Sequence, residues 1–353
     1  MPFGDRAARF PIGARPSRGA LLQALRAVGG VADVVLTEDV GCVVFAEGAD
    51  RSAAEAAALR AIEADLGAAA GTPAVARHEI HVAYDGEDLA SVADAIGRSP
   101  DDVVRLHAGR DYTVAMLGFL PGFAYLRDLP EELRLARRAP RARVPKGSLA
   151  IAAQYTGIYP SASPGGWHLI GRALSFEAFG ARGAALGLGD AVRFVPSSGA
   201  PPPAARADDG ADLARPTGAH LEITRAAGLA LLVDGGRTGH MHEGVPNGGP
   251  LVASGFARAN ALAGNAPAAC AVEIVGSFEV VARGGPVVVA DETRRVALAE
   301  GDRLVASSAG RRVAYLAVAG GVDAPLVLDG RGALLVAGIG APLRKGGWLA
   351  PGR

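Results

Sequence analysis

Residues 143–172, RVPKGSLAIAAQYTGIYPSASPGGWHLIGR, constrain the fold more than any other stretch of the chain. They open with alternating small and apolar residues from Ser148 to Ala152, a period of two that predicts a strand. The pattern breaks at Gly157, Pro160, Pro164, Gly165 and Gly166, then returns to apolar sequence at Leu169 and Ile170. A strand, an aromatic-decorated loop and a second strand is how a sheet rim presents a binding surface. Glycines there let the backbone approach a ligand, and prolines stiffen the loop before the ligand arrives. A tight, rigid hairpin with no ligand is the competing reading.

With 353 residues the chain is long enough for two or three domains, each with its own core. Half of the residues are hydrophobic, yet no run approaches the roughly 20 apolar residues of a membrane span. The opening MPFGDRAARF lacks the apolar core of a signal peptide, so a cytoplasmic location is expected. Basic and acidic side chains balance at 36 each, which argues against nucleic acid or an acidic membrane as partner. The basic run RLARRAPRAR (134–143) is the local exception, readable as a solvated turn or as an anion or phosphate site. Cys42 and Cys270 lie far apart in apolar surroundings, so buried, inert thiols are expected.

Four separated motifs carry a resemblance. The 143–172 stretch, GFLPGFAYL (118–126), YDGEDL (84–89) and LGLGDAVRFVP (186–196) resemble the Kip-type family over roughly residues 20–196. That family includes the B subunit of 5-oxoprolinase, allophanate-hydrolase subunit 1 and a sporulation-kinase inhibitor. A second block is similar to the C subunit of 5-oxoprolinase over about residues 220–340, on DGGR (234–237), GVPNGG (244–249), ANALAGN (259–265), VEI (272–274) and YLAVAGG (315–321). The two families also meet in the carboxyltransferase region of biotin-dependent urea carboxylases. The chain therefore resembles a fusion of a B subunit with a shortened C subunit, the match ending at Arg353.

Residues 20–28 and 51–67 have helical composition, the second with periodic Leu59, Ile62 and Leu66. Short strands are expected at 33–37, 41–46 and 75–83, giving a small α/β domain over 1–83. A helix at 88–97 and a second at 100–108 lead into a strand-rich, glycine-rich region ending near 196. That composition favours a closed barrel, and the resemblance sharpens it to a cyclophilin-like one. Residues 197–218 have linker composition. Short strands at 220–225, 229–233, 271–275, 278–282, 286–290 and 312–318, with a helix near 251–263, predict a second barrel over 219–353. The expected class is α+β: a small α/β domain followed by two cyclophilin-like β-barrels.

The chemistry-bearing residues form two walls and a second-half cluster. His107, Phe119, Pro121, Phe123 and Tyr125 make the first wall, whose flat rings suit a small planar amide such as a lactam or urea. His107 reads as a general acid–base or as a structural histidine on a backbone carbonyl. The second wall is Gln154, Tyr155, Tyr159, Ser163, Trp167, His168 and Arg172. Gln154 offers an amide its matching donor and acceptor, and Arg172 a fork for a carboxylate or phosphate. In the second half Asp234, Arg237, Asn260, Asn265 and Glu273 fall on motif positions of the partner family, where they would suit binding and polarising an amide substrate across an inter-domain cleft, with Asp234 and Arg237 as catalytic candidates; structural turns and an Arg–Asp ion pair explain them equally well. The HMHE run (240–243) invites a metal reading only if it is a strand, where residues two apart share a face.

The resemblance implies a component of an ATP-dependent lactam hydrolase converting 5-oxoproline to glutamate. Lactam opening is slow because the amide is resonance-stabilised, and phosphorylation of its carbonyl oxygen supplies a leaving group. Substrate is expected between the two β domains, with ATP and Mg as cofactors, a separate A-type subunit as partner and homo-oligomers as a further expectation. No GxxxxGK[ST] is present, so ATP would bind by another mode. Two alternatives stand: a non-enzymatic inhibitor of a sensor histidine kinase, or a urea or allophanate carboxyltransferase-like component, for which no Met-Lys-Met biotinylation motif is present. Three departures bear on competence. Tyr155 holds the family's glutamine position, with Gln154 one place earlier. Val252 stands where partner-family members carry Asp. The Gly-Ser-Arg-Ser-Thr element is reduced to Asp329-Gly330-Arg331-Gly332-Ala333.

Overall fold

Ser148–Ala152 is a strand with all five residues buried, because both of its faces are covered. Leu149 and Ile151 point into one hydrophobic core while Ala150 and Ala152 pack into another. The small–large alternation thus records two packed faces of unequal spacing. The computed structural model describes residues 6–13, 18–67, 75–199 and 216–352. Most of the expected linker, 200–215, lies outside the described residues.

The chain divides into two compact units, Met1–Ala204 with Thr238–Pro246, and Ala205–Arg237 with Asn247–Arg353. The first unit begins with an antiparallel sheet in the order Ala7–Pro11, Val40–Phe45, Val31–Leu36. Helix Arg18–Arg26 adds Leu21, Leu22 and Leu25 to its core. Helix Arg51–Gly67 packs through Ala54, Ala58 and Ile62, whereas Leu59 is exposed. The expected face through Leu59 is therefore rotated: alanines at a spacing of four let this helix lie close to its neighbours. The side chain of Leu66 lies outside the described residues.

A closed seven-stranded barrel follows. Its order is His168–Ala173, Arg77–Ala83, Ala191–Pro196, Asp111–Leu117, Ala124–Arg127, Tyr155–Ile158 and Ser148–Ala152, which pairs back to His168–Ala173. The pairing of Ala191–Pro196 with Arg77–Ala83 is parallel. Helices Leu89–Ala95 and Pro100–Ala108 supply Val92, Ala93 and Val103 to the barrel core. The second of them starts at a capping box, Ser99 with Asp102, followed by Pro100 at the first helical position.

In the second unit the strands pair as a seven-stranded sheet in the order Arg295–Leu298, Val287–Ala290, Ala314–Val318, Ala271–Arg283, His220–Val233 and Trp348–Leu349, with Arg303–Ser307 branching from Ala271–Arg283. The α+β class with a β-barrel is as expected, while this second set of pairings is a branched sheet among the described residues. Expected from sequence as two strands each, His220–Val233 and Ala271–Arg283 run unbroken, with Gly228 and Gly276 in the gaps between the expected strands. They lie opposite one another in register, at φ 110° and 105°. A Cβ on Gly228 would sit 2.1 Å from the Val275 carbonyl oxygen. Both strands therefore bend together at the glycine pair without interrupting the ladder. Helix Ala253–Ala263 matches the expected one. Among the described residues no helix is long and apolar enough to cross a membrane.

Candidate functional site

The outer face of the barrel carries an aromatic platform. Phe123 is buried, with ring centroids 4.9 Å from Tyr125, 5.3 Å from Tyr159 and 5.3 Å from Trp167. Tyr125 lies 5.6 Å from Trp167 and 5.5 Å from Tyr155. All five contacts are edge-to-face or steeply tilted, the favourable arrangement for aromatic quadrupoles. Ala150 and Ala152 leave room beneath the rings. The GFLPGF turn places Phe119 over the platform, 5.5 Å from Phe123 and 6.4 Å from Tyr159. Phe119 is 58% exposed and adopts φ 72°. A left-handed backbone costs a side chain of this kind about 1–2 kcal/mol. An exposed, strained aromatic residue is a feature that function explains better than packing does.

The structure thus brings Phe119, Phe123, Tyr125, Tyr155, Tyr159 and Trp167 together, with Pro121 buried inside the turn. Gln154 is exposed at the tip of the hairpin joining Ser148–Ala152 to Tyr155–Ile158. Tyr155 donates to Glu38 Oε2 at 2.5 Å, and burial with that bond pushes its pKa up to about 12. His168 Nε2 lies 2.9 Å from the Ala136 carbonyl, so it pins the adjoining segment. Ser163 is buried, and its Oγ has no hydrogen-bond partner among the described residues. Arg172 donates from Nε to Asp85 at 2.8 Å and from Nη2 to Gly199 at 3.1 Å, and its Nη1 has no hydrogen-bond partner among the described residues. No free two-pronged fork remains on it.

Asp88 of YDGEDL explains the basic run. It is buried, accepts Arg141 Nη2 on both oxygens at 2.6 and 2.7 Å, pairs with Arg138, and takes the Leu169 N–H at 2.7 Å. Arg138 and Arg141 are thereby turned toward Asp88, while Arg137 stays exposed on the rim.

His107 lies in the barrel core with no exposed surface. Thr156 Oγ1 donates to the Ala150 carbonyl at 3.0 Å, so it accepts from His107 Nε2 at 2.9 Å, and Nδ1 accepts from the Tyr84 hydroxyl at 2.8 Å. Burial pushes the His107 pKa down to about 3. The imidazole is a neutral link in a hydrogen-bonded chain, beyond the reach of a ligand at the surface. Side chains, not the backbone carbonyl considered from sequence, are its partners.

Sequence reasoning missed the destination of Thr238–Pro246, which belongs to the first unit. Asp33 is buried and receives the N–H groups of Gly239 at 2.8 Å and Met241 at 3.0 Å. Glu243 accepts the Ala184 N–H at 2.7 Å through its side chain, and its carbonyl accepts the Gly122 N–H at 2.8 Å. Gly244 has φ 77°, and a Cβ there would lie 2.7 Å from the Leu120 carbonyl oxygen. This strap therefore braces the turn that presents Phe119. Met241–Glu243 is a 3-10 turn, so the strand-face argument for a metal at HMHE does not hold.

In the second unit the motif residues bond to the backbone and to one another. Asp234 accepts N–H groups of Gly236 at 2.9 Å and Gly332 at 3.1 Å, together with that of Arg331. Arg237, 1% exposed, donates to the carbonyls of Val327, Gly330 and Gly332 at 3.0, 3.2 and 2.6 Å. Asn265 bridges Asn260 Oδ1, the Val318 carbonyl and the Gly320 N–H, and Asn260 donates to the Ala269 carbonyl. Glu273 takes the Leu251 N–H and the Tyr315 hydroxyl at 2.7 and 2.8 Å. Cys270 is buried, which pushes its thiol up to about 12, and Cys42 is half-buried.

Residues 5–182 match the family described as carboxyltransferase domain, subdomain C and D, and residues 243–353 match subdomain A and B. The B subunit of 5-oxoprolinase from Escherichia coli O157:H7 is 51% identical over 124 residues, covering 33% of this chain and 57% of that protein. The Haemophilus influenzae protein of the same name is 46% identical over 126 residues, covering 34% and 59%. The chain thus spans little more than half the length of these curated relatives. The crystal structure of TTHA0988 superposes with a TM-score of 0.81 at 30% identity, covering 99% of this chain and 76% of that one. The chain therefore belongs to the carboxyltransferase-domain family, with subdomains C and D in its first half and A and B in its second.

Proposed function

We propose that the chain is a component of a 5-oxoprolinase-type lactam hydrolase, holding the cyclic amide for a separate A-type subunit. The observation that carries this reading is the exposed, left-handed Phe119 over an edge-to-face aromatic platform, in the half that is 51% identical over 124 residues to a 5-oxoprolinase B subunit. Aromatic edges and faces hold a flat five-membered ring and exclude water around its amide. Gln154 at the hairpin tip supplies a donor and an acceptor for the amide.

The polar groups of PKGS do not fit a nucleotide cradle. Lys146 is paired with Glu177, and the Ser148 hydroxyl donates to the Pro145 carbonyl at 2.9 Å. Among the described residues no group of three or more His, Cys, Asp or Glu side chains is placed to hold a metal ion. The chain's own part is accordingly to bind and orient the lactam, with nucleotide assigned to the A-type partner.

The test is reconstitution of the chain with an A-type subunit, measuring ATP turnover with and without 5-oxoproline. Lactam-dependent turnover that falls in Phe119→Ala supports the reading. Its absence, together with recovery of a sensor histidine kinase on the purified chain, replaces it with the inhibitor reading.

A further inference from the structure

The rim of the aromatic platform carries two polar groups that the fold leaves unpaired. The segment 135–138 is held at three points: Leu135 accepts the Ala153 N–H at 2.7 Å, Ala136 accepts from His168 at 2.9 Å, and the Arg138 N–H donates to Gly166 at 2.9 Å. Arg137 is thereby fixed between the Gln154 hairpin tip and the loop bearing Trp167. Its neighbour Arg138 turns to Asp88, yet Arg137 remains exposed, with no hydrogen bond or ion pair among the described residues. Its charge is felt at the hydroxyls of Tyr125 and Tyr159. The Tyr125 hydroxyl has no hydrogen-bond partner among the described residues either, and burial keeps it protonated as a donor.

An exposed guanidinium on an anchored backbone, near a neutral phenol donor, is a carboxylate-binding pair, and here it borders edge-to-face rings topped by an exposed phenylalanine. We propose that Arg137 and Tyr125 form a carboxylate subsite at the rim of the Phe119 platform, which selects small rings bearing a carboxylate. The identity of the ring as a lactam rests on the 5-oxoprolinase reading; the ring-plus-carboxylate selectivity does not. This subsite takes the anion-binding role for which Arg172 and Arg237 offer no free two-pronged fork, since Arg172 is held by Asp85 and Gly199 and Arg237 by the 327–332 turn.

The full chain is titrated by calorimetry with 5-oxoproline, with 2-pyrrolidinone (the same ring without the carboxylate) and with cyclopentanecarboxylate (the carboxylate without the lactam). Wild type, Arg137→Ala, Arg137→Lys and a control, Arg134→Ala, are compared. Arg134 belongs to the same run but bonds to the Leu129 carbonyl. A charge-assisted contact of this kind corresponds to at least about tenfold in affinity. The expected result is 5-oxoproline bound at least about tenfold more tightly than 2-pyrrolidinone, with the difference abolished in Arg137→Ala, partly kept in Arg137→Lys and unchanged in Arg134→Ala. Arg137-dependent binding of cyclopentanecarboxylate without any binding of 5-oxoproline would uphold the subsite and overturn the lactam reading. Equal binding of 5-oxoproline by wild type and Arg137→Ala overturns the subsite and leaves the lactam reading standing. Wild-type chain that binds none of the three overturns the subsite.

Discussion

Asp234 and Arg237 stand three residues apart and grip one turn by its opposite polarities: the carboxylate takes the N–H groups of Arg331 and Gly332, the guanidinium the carbonyls of Val327, Gly330 and Gly332. Burial lowers the Arg237 pKa while the Asp234 charge works against that loss. Among the described residues no ion pair joins the two, so removing either leaves buried backbone groups of the turn unpaired, at a cost of roughly 1–3 kcal/mol for each group. We therefore expect Asp234→Ala and Arg237→Ala to lower the urea midpoint sharply, and Arg237→Lys to fail to restore it. A variant as stable as wild type yet devoid of activity would return these residues to a catalytic role.

The His107 chain predicts an acid limb in stability. Its folded pKa is about 3, against about 6.5 for a free histidine. Between those values the unfolded chain binds a proton that the folded chain refuses, so acid favours unfolding. This contribution is complete above about pH 6.5 and falls toward pH 3 by at most about 1.4 kcal/mol per unit. Urea midpoints of wild type and His107→Gln from pH 7 to 4 check it: the variant's slope should be shallower by up to one proton. Parallel curves would sink the assignment.

Phe119 is expected to oppose stability and function to one another. Glycine accepts φ 72° without penalty, so Phe119→Gly should leave thermal stability unchanged or raise it by about 1 kcal/mol. The same variant should lose ligand-dependent turnover. A clear drop in melting temperature would mean that the ring is packing, not a binding element.

Helix Ala253–Ala263 starts at Val252 without a side-chain cap. Serine there should stabilise the second unit by about 1 kcal/mol. Aspartate should help less, because Glu273 already takes the Leu251 N–H next door and like charges repel. Calorimetric melting of Val252→Ser and Val252→Asp reads the order, and a destabilised serine variant would contradict it.

Local pattern made some of this legible. The alternation of 148–152 located a strand to the residue, and the clustered aromatics do converge. Other features needed the fold. Leu59 misled because alanines, not leucines, face the sheet. The unbroken strands through Gly228 and Gly276 were not legible, because their facing each other across a ladder is a fact of register, not of local sequence. Asp33 gave no local signal, since the donors it satisfies lie more than two hundred residues away. Arg137 had a signal in the basic run, but which arginine stays free depends on where Asp88 sits.

The strap at Thr238–Pro246 carries a consequence for how such a gene can be divided. Backbone continuity runs out of the first unit, enters the second, returns, and leaves again. A break placed in the proline-rich stretch would separate the first piece from the donors that neutralise its buried Asp33 and from the carbonyl that anchors Gly122. The halves are therefore not interchangeable cassettes: a first half expressed by itself needs a short peptide from the other, and it should recover its aromatic turn when that peptide is supplied in trans.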